Sequence, residues 1–311
     1  MMFLTSLAAV ALSAVFGAAP AGARTPPAFH SVSTAVNAPG DAGGPPLLGD
    51  GGRYVFWVAS DGASTVLDAR TGKRKTGLMP TGCRPEALGS GLLVYACDRA
   101  DPPEKVVDLA TGQTREIEGL ADFRSAADEP PRIVGVGRQW VSADVFFTTP
   151  GRYKRWYLNW HSGRVVSEAI TGREIQNLDT RQLAQPMCAP FRRPPEDIDV
   201  RFDDLAYQYR APYGIRVGAP RSDDVVLSRC GSRRRVVLAR ARGFVPEPGL
   251  MRSGIVTWTA EKGIGAYVLR SHRLFRWSGV PAALTHAGDY VFRAVARADS
   301  RWTIQRARVR P

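Results

Sequence analysis

Short hydrophobic runs rich in Val, Tyr, Trp and Phe recur along the chain. Six of them begin at residues 53, 91, 138, 204, 254 and 289, so they are 38, 47, 66, 50 and 35 residues apart. Runs of β-branched and aromatic residues with polar or glycine-rich segments between them predict β-strands. Beyond the first 23 residues, no stretch has the long 3.6-residue periodicity of an amphipathic helix. The near-regular spacing therefore predicts a repeated unit made of strands.

The second half of this unit is a tight hairpin with a recurring motif. Residues 68–72 read DARTG and residues 108–112 read DLATG, and a looser copy, NWHSG, occupies residues 159–163. Glycine permits the positive φ of a tight turn, and Asp or Asn can hydrogen-bond the turn backbone. The predicted unit is therefore strand A, strand B, a loop, strand C, the D-x-x-T-G turn and strand D. The later copies, near Ser232 and Ser271, lack the motif.

This unit predicts an all-β fold, a β-propeller of six blades with four antiparallel strands each, over residues 48–311. A four-stranded blade has roughly 40–45 residues, close to the average interval. A β-sandwich and two small β domains are the alternatives. Residues 24–47 are rich in Pro and Gly, and the part near residues 29–32 is expected to pair with the last blade and close the ring, which removes exposed strand edges. The long third interval contains residues 170–200, which predict a surface excursion.

The repeated D-x-x-T-G turn, the aromatic-rich strands and the N-terminal segment resemble secreted bacterial β-propellers of the TolB-like or WD40-like kind. The resemblance covers residues 48–311, without the G-H and W-D pair of true WD40 repeats. It implies a propeller fold and a tendency to bind proteins or ligands on one face. It implies no reaction.

Residues 1–23 contain no charged side chain and end in Ala21-Gly22-Ala23. This pattern is typical of a secretory signal peptide with an A-x-A cleavage site, and a membrane anchor is the alternative. We therefore expect a chain that is secreted or associated with the cell envelope. We also expect it to be monomeric, with no transmembrane segment after cleavage.

The chain has a net charge of +13, from 42 Lys and Arg against 29 Asp and Glu. Arginine greatly outnumbers lysine, which is typical of a GC-rich genome, and an acidic partner is the second explanation. The densest basic run, residues 233–235, is too short for a nucleic-acid-binding arm. The expected partner is therefore a protein or an acidic envelope polymer, and not nucleic acid.

An even number of cysteines in an exported chain predicts two disulfides. Cys83 and Cys97 lie symmetrically about Ser90, so they would face each other across an A–B hairpin. Cys188 and Cys230 are left as the second pair, which requires the 170–200 excursion to bring Cys188 close. Zinc is the competing interpretation, and no C-x-x-C spacing supports it.

No catalytic motif is present. The four histidines do not have the spacing of a zinc protease, and there is no nucleophile elbow, Walker loop or dinucleotide fingerprint. We therefore predict no catalytic residue, no cofactor and no metal. The predicted function is an exported, non-catalytic propeller that binds a protein, a peptide or an envelope glycan. The alternative is a propeller hydrolase or lyase with a divalent metal at its axis.

The B–C loops of a propeller share one face with the D–A loops, and this face is the predicted binding surface. Basic residues would line it and could hold an acidic ligand, although chance placement is the alternative in a chain so rich in arginine. The candidates are Arg99, Arg152, Lys154, Arg155, Arg210, Lys262 and Arg297.

Overall fold

The elements of this fold are β-strands. The computed structural model describes residues 25–37, 46–97, 104–117, 119–120, 132–146, 152–171, 200–202, 207–210, 213–219, 222–229, 235–239, 254–260 and 263–310. For part of these strands only the backbone is considered. This applies to residues 132, 134, 144–146, 152–156, 166–171, 200–202, 207–210, 213–219, 222–224, 228–229, 235 and 260. Within the described ranges no helix is long and apolar enough to cross a membrane.

The strands follow one another along the chain. In order they are β1 (His30–Val36), β2 (Leu48–Gly49), β3 (Tyr54–Ala59), β4 (Ser64–Asp68), β5 (Arg74–Thr76), β6 (Arg84–Gly89), β7 (Leu92–Ala96), β8 (Glu104–Asp108), β9 (Thr114–Glu116), β10 (Arg132–Val136), β11 (Trp140–Phe146), β12 (Arg152–Asn159), β13 (Val165–Thr171), β14 (Val200–Phe202), β15 (Tyr207–Arg210), β16 (Tyr213–Ala219), β17 (Ser222–Arg229), β18 (Arg235–Ala239), β19 (Ile255–Ala260), β20 (Gly263–Val268), β21 (Arg273–Ser278), β22 (Ala283–Ala287), β23 (Tyr290–Ala296) and β24 (Trp302–Arg308).

Consecutive strands form antiparallel sheets. Four sheets consist of β6–β9, β10–β13, β14–β18 and β19–β21, and an eight-stranded sheet has the order β22-β23-β24-β1-β3-β4-β5 with β2 on β3. The six hydrophobic runs of the sequence correspond to strands β3, β7, β11, β15, β19 and β23. The prediction of an all-β fold made of successive antiparallel sheets is confirmed. No sheet among the described strands closes on itself.

The first strand joins the two ends of the chain. β1 pairs along its length with β24, from His30 opposite Arg306 to Ala35 opposite Trp302, and two further pairs connect it to β3. The segment just before β1 is also held, because the Trp277 indole N–H donates to the Pro27 carbonyl oxygen at 2.8 Å. The N-terminal segment thus pairs with the last strands of the chain.

The hydrophobic core lies between successive groups of strands. One cluster packs β3 and β4 on β7 and β8, and includes Phe56 and Leu93. Others lie between β6–β9 and β10–β13, between β17–β18 and β19–β21, and between β19–β21 and β22–β23. A further cluster packs Phe292 and Ile304 against Trp57, so the last strands contact the first.

The predicted disulfide between Cys83 and Cys97 is confirmed. The two residues flank β6 and β7, and their Cα atoms are 4.3 Å apart. Between the strands, Ser90 and Gly91 form the turn with positive φ angles of 52° and 77°. Two consecutive positive φ angles are typical of a tight type I′ hairpin, which places the two cysteines opposite each other. Cys188 and Cys230 lie outside the described residues, as does most of the 170–200 segment.

Candidate binding cleft

A cleft of about 790 Å³ lies at the end of the strands where the hairpin turns cluster. Three groups of strands contribute to it: β2–β5, β6–β9 and β10–β13. Within each group, the turn after the first strand and the turn after the third strand reach the same end of the sheet, since the strands are antiparallel. We call this site the turn-face cleft. Its lining includes Asp50, Arg53, Tyr54, Ser90, Gly91, Leu92, Val106, Asp108, Ala110, Thr111, Gln113, Arg115, Arg138, Trp160 and His161.

The first wall is the turn between β2 and β3, which is held by Asp50. One carboxylate oxygen of this buried residue accepts the backbone N–H groups of Gly52, Arg53 and Tyr54 at 2.7–2.8 Å. Such local bonds satisfy the turn backbone and fix its shape. The Asp50 carboxylate is therefore committed to the turn.

An ion pair ties this turn to the next hairpin. The Arg53 guanidinium donates to one Asp68 oxygen at 2.8 Å from Nε and 2.5 Å from Nη2. Burial raises the pKa of Asp68, but hydrogen bonds from Arg53, Thr71 and Arg70 outweigh this effect and hold the pKa at about 2. Burial also raises the pKa of Tyr54, whose ring lies between the turn-face cleft and a smaller cavity of about 210 Å³.

The second wall is the hairpin between β8 and β9, which copies the hairpin between β4 and β5. Asp108 Oδ1 accepts the N–H groups of Ala110 and Thr111 at 2.7 and 2.9 Å, as Asp68 Oδ1 accepts those of the matching residues in the first hairpin. The Lys75 ammonium of β5 donates to the Leu109 carbonyl oxygen at 2.9 Å and to that of Ala110. The two hairpins are thus joined across the gap between their sheets.

The third wall is the hairpin between β12 and β13. Asn159 Oδ1 accepts the N–H groups of His161 and Ser162, so the looser copy of the motif forms the same turn. The buried Trp160 indole stacks on the His161 ring, with the ring centroids 3.7 Å apart. His161 Nε2 donates to the Arg138 carbonyl oxygen at 2.9 Å, because a carbonyl can only accept. This bond fixes the His161 ring against the turn between β10 and β11.

Two arginines give the cleft its available positive charge. Arg115 lies on β9 and Arg138 lies between β10 and β11, and both are exposed. Neither forms an ion pair with any residue that the structure describes. The Asp50 and Asp108 carboxylates each accept backbone N–H groups, as described above. Within the described part of the chain, neither guanidinium charge is therefore neutralised by a carboxylate.

None of the described residues of the predicted basic surface lines the turn-face cleft. Arg152, Lys154 and Arg155 belong to strand β12 rather than to a loop, and Arg210 ends β15; their side chains are not among those described. Arg297 follows β23 and forms an ion pair with Asp299 at 3.2 Å. The remaining two candidates, Arg99 and Lys262, lie outside the described residues.

Little in the sequence indicates which residues line the cleft. The Gly89-Ser90-Gly91 turn was apparent from its glycines, and the three Asx turns from the repeated motif. Arg115 and Arg138 were not distinguished from the other arginines, since only the packing of three sheets brings them to one cleft. Across the described ranges no three His, Cys, Asp or Glu side chains come together as metal ligands would.

The comparisons with known proteins find likeness in structure alone. No protein-family model matches the chain, and no curated protein does. The chain is similar in structure to PorZ, an essential bacterial surface component of the type-IX secretion system of Porphyromonas gingivalis, with a TM-score of 0.51 and 10% sequence identity. The match covers 91% of this chain and 38% of that one, so this chain spans well under two thirds of its length. At this identity the likeness shows the fold alone.

A second similar structure is the computationally designed Ika8 protein. Its TM-score is 0.33 at 13% identity, over 90% of this chain and 85% of the designed one. A score this low supports no argument about fold or function.

Proposed function

We propose that this chain is an exported, non-catalytic β-propeller of six blades that binds its ligand in the turn-face cleft. The order of packing supports the ring. Each described core cluster joins neighbouring groups of strands, and the last group packs on the first. β1 pairs with both β24 and β3, as a strand that closes a ring would. The likeness to the β-propeller-like PorZ agrees with this arrangement.

Export is supported by sequence and by the confirmed disulfide. Disulfides persist in oxidising compartments, and the Cys83–Cys97 bond crosses one hairpin of the fold. An apolar N-terminal segment with an A-x-A site precedes β1. The surface location described for PorZ is in line with this proposal.

The observation that carries the binding function is the turn-face cleft. Its volume of about 790 Å³ is within the range of ligand sites. Three sheets contribute to it, and hydrogen bonds fix each of its turns, so the site is formed before a ligand arrives. Asp50 and Asp108, the two acidic residues of the described lining, accept backbone N–H groups rather than standing as an acid–base pair. Such an arrangement favours binding over acid–base chemistry.

A thermal-melt screen with a blocked cleft tests this function. Ala110→Trp places a bulky ring in the cleft, because Ala110 is exposed and lines it. Arg70→Trp is the matched control, since Arg70 has the same position in the first hairpin and does not line the cleft. The panel contains polygalacturonate, dextran, polyglutamate, polylysine and calcium with and without EDTA.

A ligand that binds the folded state raises the melting temperature by mass action. We expect at least one panel member to do so with the wild type and with Arg70→Trp, and to fail with Ala110→Trp. Equal shifts in all three proteins would place binding elsewhere and overturn the proposal. A shift produced by calcium and reversed by EDTA would instead favour the metal-dependent enzyme.

A further inference from the structure

Two arginines of the turn-face cleft form no ion pair with a described residue, and they indicate the charge of a ligand. Arg115 and Arg138 come from neighbouring sheets, and both are exposed at the same cleft. A guanidinium presents parallel N–H donors that match the two oxygens of a carboxylate. Two such groups in one cleft favour a ligand that carries repeated negative charges.

The hydrophobic side chains of the cleft are covered and offer no anchor to a protein partner. Tyr54 and Leu92 are each 7% exposed, Trp160 is 6% exposed and Val106 is 2% exposed. Protein interfaces draw most of their energy from apolar and aromatic anchors that enter pockets. The large hydrophobic side chains exposed elsewhere in the described structure are Val165 and Val280, and neither lines the cleft.

Apart from Arg53, which is paired with Asp68, other exposed side chains of the cleft are polar and uncharged. Thr111 and Gln113 provide a hydroxyl and an amide, and the His161 ring lies on Trp160 with its orientation fixed by the Arg138 carbonyl. Hydroxyl and amide groups suit the hydroxyls of a sugar, and an aromatic face suits the C–H surface of a sugar ring. Together with two guanidinium groups, this set matches a sugar that carries carboxylates.

We infer that the turn-face cleft binds an acidic polysaccharide, with its carboxylates on Arg115 and Arg138 and its hydroxyls on Thr111 and Gln113. This inference rests on the proposed binding function and names its ligand class. Hydrogen bonds hold the backbone beside both arginines, through His161 on the Arg138 carbonyl oxygen and through Asp108 in the turn before β9. Spacing of charge along the polymer, rather than charge alone, then determines binding.

The test measures the affinity of the full chain for polygalacturonate by calorimetry at low and high salt. Arg115→Gln, Arg138→Gln and the double variant are compared with Arg301→Gln, an exposed arginine outside the cleft. Each cleft variant is expected to weaken binding about tenfold and the double variant about a hundredfold, as for lost charge-assisted hydrogen bonds. Arg301→Gln should change affinity by less than about twofold. Melting temperatures of all variants verify that they fold.

Three polymers separate the possible sources of charge. Dextran is neutral, dextran sulfate is highly charged without carboxylates, and polyglutamate carries carboxylates on a peptide. We expect polygalacturonate to bind tightest and dextran not to bind. Polyglutamate binding as tightly, with the same loss in the double variant, would make the ligand an acidic peptide and overturn the inference. Tighter binding of dextran sulfate would reduce the site to a general anion site and also overturn it.

The outcomes separate this inference from the proposed function. If Ala110→Trp abolishes polygalacturonate binding while the double arginine variant retains it, the cleft binds and the assigned contacts are wrong. If dextran or polylysine binds to the wild type and not to Ala110→Trp, the cleft is again the binding site and the assigned contacts are again wrong. If no polymer of the panel binds to the wild type, both the inference and the binding function fail.

Discussion

The hairpin at residues 108–113 and the hairpin at residues 268–273 share a backbone bond and differ in sequence. In the first, the Leu109 N–H donates to the Gly91 carbonyl oxygen at 2.9 Å. In the second, Leu269 donates to Gly254 at 2.8 Å. Each bond connects the residue just after one strand to the residue just before the preceding strand of the same sheet. The repeat unit of this chain is therefore a backbone pattern that persists without its motif.

The second hairpin lacks the aspartate that accepts the turn N–H groups in the first. Asp108 accepts two backbone N–H groups of its turn, and Gly112 has the positive φ of 81°. Val268 occupies the place of the aspartate and is buried, and His272 occupies the place of the glycine with a φ of 53°. The motif is thus one way to stabilise the turn, and packing beneath the turn is another. The following variants separate the two.

Packing within the sheet that carries the second hairpin predicts the largest effect. Gly265 of β20 lies opposite Trp258 of β19, and a Cβ added to Gly265 would overlap the Trp258 ring. Since Trp258 is only 2% exposed, its ring has little room to move. Gly265→Ala is therefore expected to lower the free energy of unfolding by about 3 kcal/mol, measured by urea denaturation.

The matched control is Gly52→Ala. An added Cβ there would make only ordinary contacts with Asp50, at 3.6 Å or more, so stability should change by less than about 1 kcal/mol. An equally small effect of Gly265→Ala would mean that the Trp258 ring can move aside.

The aspartates of the two motif hairpins accept different numbers of hydrogen bonds. This difference predicts the second-largest effect on stability. Asp68 accepts two turn N–H groups and the Arg53 guanidinium, whereas Asp108 accepts two turn N–H groups. Asp68→Ala should cost about 2 kcal/mol of unfolding free energy, and Asp108→Ala about 1 kcal/mol. Arg53→Gln should remove most of this difference. Equal losses for the two aspartates would show that the ion pair adds nothing measurable.

The sequence predicted these hairpins and strands because short-range rules determine them. Asp and Gly at fixed offsets specify the turns, and the cysteines about Ser90 specified a hairpin and its disulfide. The hairpin at residues 268–273 lacks the motif, and its backbone bond cannot be recognised in a sequence because every residue has the same backbone atoms. The cleft could not be predicted from the sequence either. Arg115 and Arg138 are far apart in sequence, and only the packing of sheets brings them to one site.

The Asp68–Arg53 pair also predicts a pH dependence. The pKa of Asp68 is about 2 in the folded protein against 3.8 for the free group. A lowered folded pKa means that the stabilisation is complete above pH about 4 and is lost as the pH falls towards 2. We expect a contribution of about 1 kcal/mol, because the half-exposed Arg53 side chain leaves the pair screened by water.

Urea denaturation of the wild type and of Asp68→Asn between pH 2 and 5 measures this contribution. An asparagine keeps the turn bonds, as Asn159 does in the third hairpin, and removes the titration. The difference in stability between the two proteins should shrink as the pH falls. A difference that stays constant from pH 5 to pH 2 would contradict the assigned ion pair.

The smallest expected effect on the free energy of unfolding comes from the residue with positive φ in each turn. His272→Gly removes the cost of about 1 kcal/mol that a left-handed conformation imposes on a non-glycine residue. It also removes the hydrogen bond between His272 Nδ1 and the Tyr267 hydroxyl, which is 2.8 Å long and contributes about the same. The two changes should nearly cancel and leave stability within about 0.5 kcal/mol of the wild type.

The reverse change in the motif hairpin has no such compensation. Gly112→His imposes the same backbone cost, and the residue in the place of Tyr267 is Val107, which has no hydroxyl. Space is not the obstacle, because an added Cβ would lie 3.6 Å from Leu78. Gly112→His should therefore cost about 1 kcal/mol in urea denaturation. A Gly112→His protein as stable as the wild type would show that this turn tolerates a side chain without a partner, and the histidine–tyrosine bond would then explain nothing about the second hairpin.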